Sequence, residues 1–185
     1  MLIPFFCKTS REYSLGKYMD KHDRQVLRKV DLKDPLQFIA LGFGSGLMPV
    51  APGTAGSLVA LPFCMMLVYC SPLLQGMVIL LTLLVGTVAA SHTEQVMGMH
   101  DNSAIVIDEI AGMFVAVACY PQIWWLPVLA FALFRLFDIL KPFPISYLDR
   151  KIQGGLGIML DDVAAGACAC VCAHLLFRAC GLHLG

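Results

Sequence analysis

Eight of the thirteen acidic residues lie after residue 90, in a sequence otherwise dominated by apolar residues. Three short motifs carry the ones that could do chemistry: Asp108-Glu109 in IVIDEIAG, Asp138 in RLFDILKP, and Asp161-Asp162 in GIMLDDVAAG. A carboxylate beside hydrocarbon is costly unless it is paired, so acids kept in such surroundings usually face cations or hold a metal. Mg²⁺ prefers hard oxygen donors and typically takes one or two carboxylates together with substrate phosphate oxygens. Asp108, Glu109, Asp161 and Asp162 can supply that shell, and no Cys or His stands beside them to favour a thiolate or imidazole metal. His92 and His100, near Glu94 and Asp101, read equally well as solvated loop residues and as ligands. The acidic motifs therefore point to an active site at a membrane surface.

Cations and small residues accompany the acids. Arg135 and Asp138 lie three residues apart, and Lys141 follows at the same interval before Pro142 and Pro144 end the helix. This set reads in two ways. It can be a structural ion pair, or Arg135 and Lys141 can reach a phosphate oxygen while Asp138 orients them or joins the metal site. Further upstream, Gly42-Phe-Gly-Ser-Gly46 and Pro52-Gly-Thr-Ala-Gly-Ser57 precede an apolar helix. Free N–H groups with the Thr54 and Ser57 hydroxyls would form a phosphate cradle there, or simply a loop and helix cap. The Gly-Lys-Ser/Thr ending of a nucleotide-binding loop is missing, as is the G-x-S-x-G elbow of serine hydrolases. Metal-assisted attack by water is the chemistry left. The basic residues lack an interleaved aromatic platform, which argues against a nucleic-acid partner.

The elements that must position these residues are apolar helices. The chain has 185 residues, of which 58% are hydrophobic and 14% charged, with a mean hydropathy of +0.76. That balance excludes an ordinary soluble domain and fits one all-α integral membrane domain. Residues 1–33 form a basic leader: eight Lys/Arg and five acids precede Pro35, against five bases and eight acids after it. A basic segment ahead of the first apolar stretch favours a cytoplasmic N-terminus. From residue 34 to 185 the sequence alternates apolar runs with turn signals. Ser57 to Cys70, Leu73 to Ala90, Ile110 to Tyr120, Ile123 to Phe134 and Val163 to Phe177 are the candidate spans. Several fall short of the roughly 20 residues a crossing needs, and Pro35 to Met48 reads as interfacial or re-entrant. The expectation is a compact multi-helix domain with four or five membrane helices.

Alternating direction puts Gly42 to Ser57, Ser91 to Glu109 and Arg135 to Asp162 at one end of the bundle, facing the cytoplasm. In two motifs a glycine stands four residues after an acid, Asp108/Gly112 and Asp162/Gly166. Small residues on that face let two helices approach closely and would bring both acid pairs together. Most of the eight cysteines lie in apolar runs and read as small hydrophobes, not as a disulfide framework. Cys168, Cys170 and Cys172, at i, i+2 and i+4, send the middle thiol away from the others and do not make a zinc set.

Four stretches, GFGSGLMPVAPGTAGSL, IVIDEIAG, FRLFDILKPFPI and GGLGIMLDDVAAG, resemble in the same order the motif set of the phosphatidylglycerophosphatase A family. The resemblance runs from about Asp34 to the end of the Val163 helix. It implies a Mg²⁺-dependent hydrolase of a bacterial inner membrane that converts phosphatidylglycerophosphate to phosphatidylglycerol and inorganic phosphate. By resemblance Asp108, Glu109, Asp138, Asp161 and Asp162 occupy the family's acidic positions, and Thr54, Ser57, Arg135 and Lys141 its other polar ones. The expected roles are metal ligation by Asp108, Glu109, Asp161 and Asp162, phosphate binding by Thr54, Ser57, Arg135 and Lys141, and catalysis by Asp138 and Asp162. A carrier using the same carboxylates as an ion or proton path is the rival reading.

Overall fold

The computed structural model describes residues 29–99, 102–118, 123–142 and 155–179. Most of the basic leader, residues 1–28, lies outside these, as do His100 and Asp101. The described residues are helical, with no strand among them. A short helix α1 (Pro35–Ala40) begins at Asp34, whose Oδ1 accepts the Leu36 N–H at 2.9 Å. A kinked 3₁₀ segment, Gly42–Leu47, follows. Among the described residues four longer helices and one short one follow: α2 (Pro52–Leu67), α3 (Pro72–Met97), α4 (Ile107–Ala116), α5 (Leu126–Leu140) and α6 (Gly155–Ala179).

Local chemistry sets the ends of these helices. Between α2 and α3 the turn is tight: Ser71 caps α3, Pro72 opens it, and the buried Gln75 side chain donates to the carbonyls of Leu67 and Cys70 at 3.1 and 3.2 Å. Those bonds satisfy backbone acceptors in an apolar turn where water would otherwise be needed. At its other end α3 continues past Ala90, where the polar residues begin, for two more turns. Thr93 returns its hydroxyl to the Ala89 carbonyl at 2.8 Å, and the helix stops at Gly98 in the left-handed region, φ 68°.

The shortest long-range organiser is α4. It packs most extensively on α6 and also touches α2, α3 and α5, and Ile107, Ile110, Ala111, Gly112, Met113, Phe114 and Ala116 are all buried. Its contact with α6 is close because Gly112 and Gly166 meet: a Cβ on Gly166 would strike the Gly112 carbonyl, and one on Gly112 would lie 2.8 Å from the Asp162 carbonyl oxygen. Glycine is needed at this crossing so that two backbones can come together.

The two long helices suit a bilayer. Pro72–Met97 and Gly155–Ala179 are long and apolar enough to cross one, and only 22% of the most apolar part of α3 is buried. Leu73, Leu80, Leu81, Leu84 and Val88 all face outward from it. A helix with an apolar exterior has no use for water on that side. At 16 and 15 residues, α2 and α5 reach only about 24 and 22 Å by helical rise, under the ~30 Å of hydrocarbon.

Candidate active site

Asp108 and Glu109 occupy the first turn of α4, where the partial positive charge of the helix start favours carboxylates. The segment before them holds that start inside the protein: the Val106 N–H donates to the Ala40 carbonyl at 2.9 Å, and Val106 is fully buried. Asp162 reaches the same place from α6. That helix is already formed at Gly155, two turns before the apolar run from Val163, so Asp161 and Asp162 sit within it and are both buried. Gly155 packs this part of α6 against Ser91 and Thr87 of α3 with no room for a side chain.

Three carboxylates thereby converge. Oxygen atoms of Asp108, Glu109 and Asp162 lie within 4.8 Å of one another. The Asp108 Oδ1 and Glu109 Oε2 atoms are buried and make no hydrogen bond. Three negative charges at that separation repel strongly in a low dielectric, so a cation is the natural complement. The oxygen-only donor set, with lone pairs left over, fits Mg²⁺.

Asp161 stands apart from this trio. Neighbours on a helix project about 100° apart, and Asp161 Oδ2 is held by Lys141 Nζ at 2.8 Å. Lys141 is the residue after α5 and takes a left-handed backbone, φ 40°, that ends the helix. Its side chain is 33% exposed, which puts it at the rim of the site. One turn back, Arg135 Nη1 pairs with Asp138 Oδ2 at 2.6 Å, both side chains 16% exposed. The Arg135 Nε is buried without a hydrogen bond, and the Asp138 carboxyl lies within hydrogen-bonding reach of Asp162. Arg135 thus keeps an N–H available beside its ion pair.

From the glycine-rich stretch the structure brings one residue directly to the acids. A Cβ on Gly53 would collide with Glu109 Oε1 and lie 3.3 Å from Arg135 Nη1, so the first turn of α2 abuts both groups. Thr54 is half-buried in the same turn. Ser57 is fully buried and donates its hydroxyl to the Gly53 carbonyl at 2.8 Å, which ties it to its own helix. Gly42, Gly46 and Gly56 do not form a cradle. They pack against Val106 and Ala104 and so seat the segment that leads into α4. The role of Gly53 as a spacer for Glu109 escaped the sequence reading, since a glycine near a helix start signals a loop as readily as a contact. His92 lies outside the acidic trio: its Nε2 pairs with Asp34 Oδ2 at 2.7 Å and joins α1 to α3.

Comparison with known proteins now has a geometry to explain. Residues 38–177 match the family model described as Phosphatidylglycerophosphatase A. The chain belongs to the phosphatidylglycerophosphatase A family. Among its relatives, the Haemophilus influenzae protein of that name is 45% identical over 155 residues, covering 80% of this chain and 93% of its own length. Its Escherichia coli namesake is 38% identical over 149 residues, covering 80% of this chain and 87% of its own. No solved structure matches the chain. The match to the phosphatidylglycerophosphatase A model spans every residue of the acidic cluster and its cationic neighbours, and begins after the basic leader.

Proposed function

We propose that this protein is a membrane phosphatase that hydrolyses the phosphomonoester of phosphatidylglycerophosphate, giving phosphatidylglycerol and inorganic phosphate. One observation carries the reading: in a member of this family, three carboxylates within 4.8 Å face a buried guanidinium with an unused N–H. The carrier reading is disfavoured because the relatives are named as phosphatases.

Asp108, Glu109 and Asp162 are the residues that would hold Mg²⁺. The ion would supply Lewis-acid stabilisation of charge on the phosphoryl group. Arg135 binds a non-bridging oxygen through its free Nε–H, while its pairing with Asp138 fixes the plane of the guanidinium. Thr54 and the first-turn N–H groups of α2 add donors on the Gly53 side. Asp138, beside Asp162 and next to Arg135, is placed to take the proton of the attacking water. Lys141 at the rim attracts the anionic headgroup and keeps Asp161 neutralised. Burial of the cluster excludes bulk water, which strengthens each of these interactions.

The bilayer reading rests on α3 and α6 together with the outward apolar surface. We assign α2 and α5 as further spans, completed by their polar ends, and α4 as a half-length helix within the protein. The site then opens at the headgroup level on the cytoplasmic side of a bacterial inner membrane, given the basic leader. Purified protein in detergent should release phosphate from phosphatidylglycerophosphate with added Mg²⁺ and stop in EDTA. Undiminished release after exhaustive chelation, with elemental analysis finding no divalent metal, would remove the metal from the mechanism; no release in any condition would remove the phosphatase.

A further inference from the structure

A second concavity lies on the other side of α4 from the acids. It has a volume of about 320 Å³ and is walled by Phe43, Val59, Phe63, Val85, Ile107 and Ile110, among others, a size at the lower end of the ~300–1,000 Å³ of ligand pockets. Among the described residues of its wall Thr82 is the only one with a hydroxyl, and that hydroxyl is already donated to the Val78 carbonyl at 2.8 Å. The described wall offers nothing polar to a ligand. The groove opens outward, since Phe43, Phe63 and Leu81 are 54%, 49% and 62% exposed.

Two observations connect it to the acidic site. Ile107 and Ile110 flank Asp108 and Glu109 on α4, so the groove and the acids are two sides of one helix. Val59 stands six residues after Gly53 on α2, roughly 9 Å along the helix from the Glu109 contact. The wall also carries unusual backbone. Phe43 lies in the left-handed region, φ 59°, where non-glycine residues persist only under tertiary constraint and often at functional sites. Its ring is held by Phe38 at 5.5 Å, edge to face, and stacks on Phe63 at 6.5 Å.

We infer that this groove binds one acyl chain of the lipid substrate and so sets the depth at which the phosphate meets the acids. The inference rests on the phosphatase reading above. Ile107 and Ile110 sit at the same level of α4 as Asp108 and Glu109, so an acyl chain lying against them holds its headgroup at the height of the carboxylates. The groove thus discriminates a diacyl lipid phosphate from a water-soluble phosphomonoester.

The test compares dioleoyl with dihexanoyl phosphatidylglycerophosphate in mixed micelles, using full-length protein and the groove-filling variants Val85→Trp and Val59→Trp. Filling the groove should lower the dioleoyl-to-dihexanoyl ratio of kcat/KM by about tenfold, the scale of a lost hydrophobic pocket contact. An unchanged ratio in both folded variants overturns the inference. Photolabelling of wild-type protein reads the same groove without turnover or new side chains. An acyl-diazirine phosphatidylglycerophosphate should label the peptides carrying Val59, Phe63 or Val85, with competition by unlabelled phosphatidylglycerophosphate and not by phosphatidylcholine. Equal competition by both lipids identifies a boundary-lipid groove and also overturns it. Failure of wild-type protein to release phosphate from either substrate would strike the phosphatase reading instead, while the photolabelling result would still report on the groove.

Discussion

Asp161 and Asp162 are adjacent in sequence and have different surroundings, which makes the pair a direct test of the site. Asp162 joins Asp108 and Glu109, whereas Asp161 is bound by Lys141. Asp162→Asn keeps the shape and removes a charge, so phosphate release should fall at least ~100-fold, the scale of losing one electrostatic group aimed at the reacting centre. Asp161→Asn should lose only about tenfold, as expected for a group that positions another. Equal losses in a phosphate-release assay would erase the distinction between them. Gly53 offers a complementary test, because its missing side chain is what leaves space for the Glu109 carboxylate. Gly53→Ala should hold or raise thermal stability, since alanine favours a helix by up to ~1 kcal/mol over glycine. Its activity should nevertheless drop at least ~tenfold, because even small misplacement of a catalytic group is costly. Stability and activity falling together would mean that Gly53 serves packing alone.

Two helix contacts set the geometry at the next scale. The crossing of α4 and α6 at Gly112 and Gly166 places backbone against backbone, and that leaves no flexible group to move aside. Gly166→Ala should therefore destabilise by ~1–3 kcal/mol, the usual cost of overpacking, and lower activity in parallel, seen as a reduced Tm and reduced phosphate release. A Tm unchanged from wild type would show that the helices can part at no cost. The other contact ties α1 to α3 through Asp34, whose carboxyl is held at about 2, below its ordinary 3.8, first by Gln37 and then by His92. A depressed acid favours the folded state while ionised, so its contribution is present above about pH 4 and disappears as the pH falls towards 2. The Tm difference between wild type and Asp34→Ala should shrink over that interval. A difference that is flat down to pH 2 would assign the effect to helix capping geometry and not to charge.

For the molecule as a whole, the question is which way the acidic end faces. Ser103 is exposed in the segment between α3 and α4, on the side of the bundle that carries the start of α4. In a background without native cysteines, Ser103→Cys should resist an impermeant thiol reagent in intact cells and react after lysis. Labelling from outside would invert the orientation drawn from the basic leader. The expectation of four or five spans meets the structure in part. Among the described residues two helices are long and apolar enough to cross, while α4 has only ten residues, about 15 Å of rise. Short apolar runs in sequence could not separate a partial helix inside the protein from a full crossing, because both are equally hydrophobic.

Composition was sufficient for the helical class, the four ordered motifs for the family resemblance, and alternating direction for the meeting of IDE, RLFD and LDD at one end. The Asp-to-Gly spacing of four residues likewise announced the close α4–α6 contact, because that interval repeats one face of a helix. Tertiary structure decided the rest. It gave Asp161 to Lys141 and left Asp162 with the acidic trio, a division that needs the end of α5 brought beside α6. It turned Ser57 back on its own helix and used Gly42, Gly46 and Gly56 for packing while bringing Gly53 to Glu109. A glycine or serine has the same local signature in a cradle, a cap and a packed contact. Only the neighbour supplied by a distant part of the chain tells these apart.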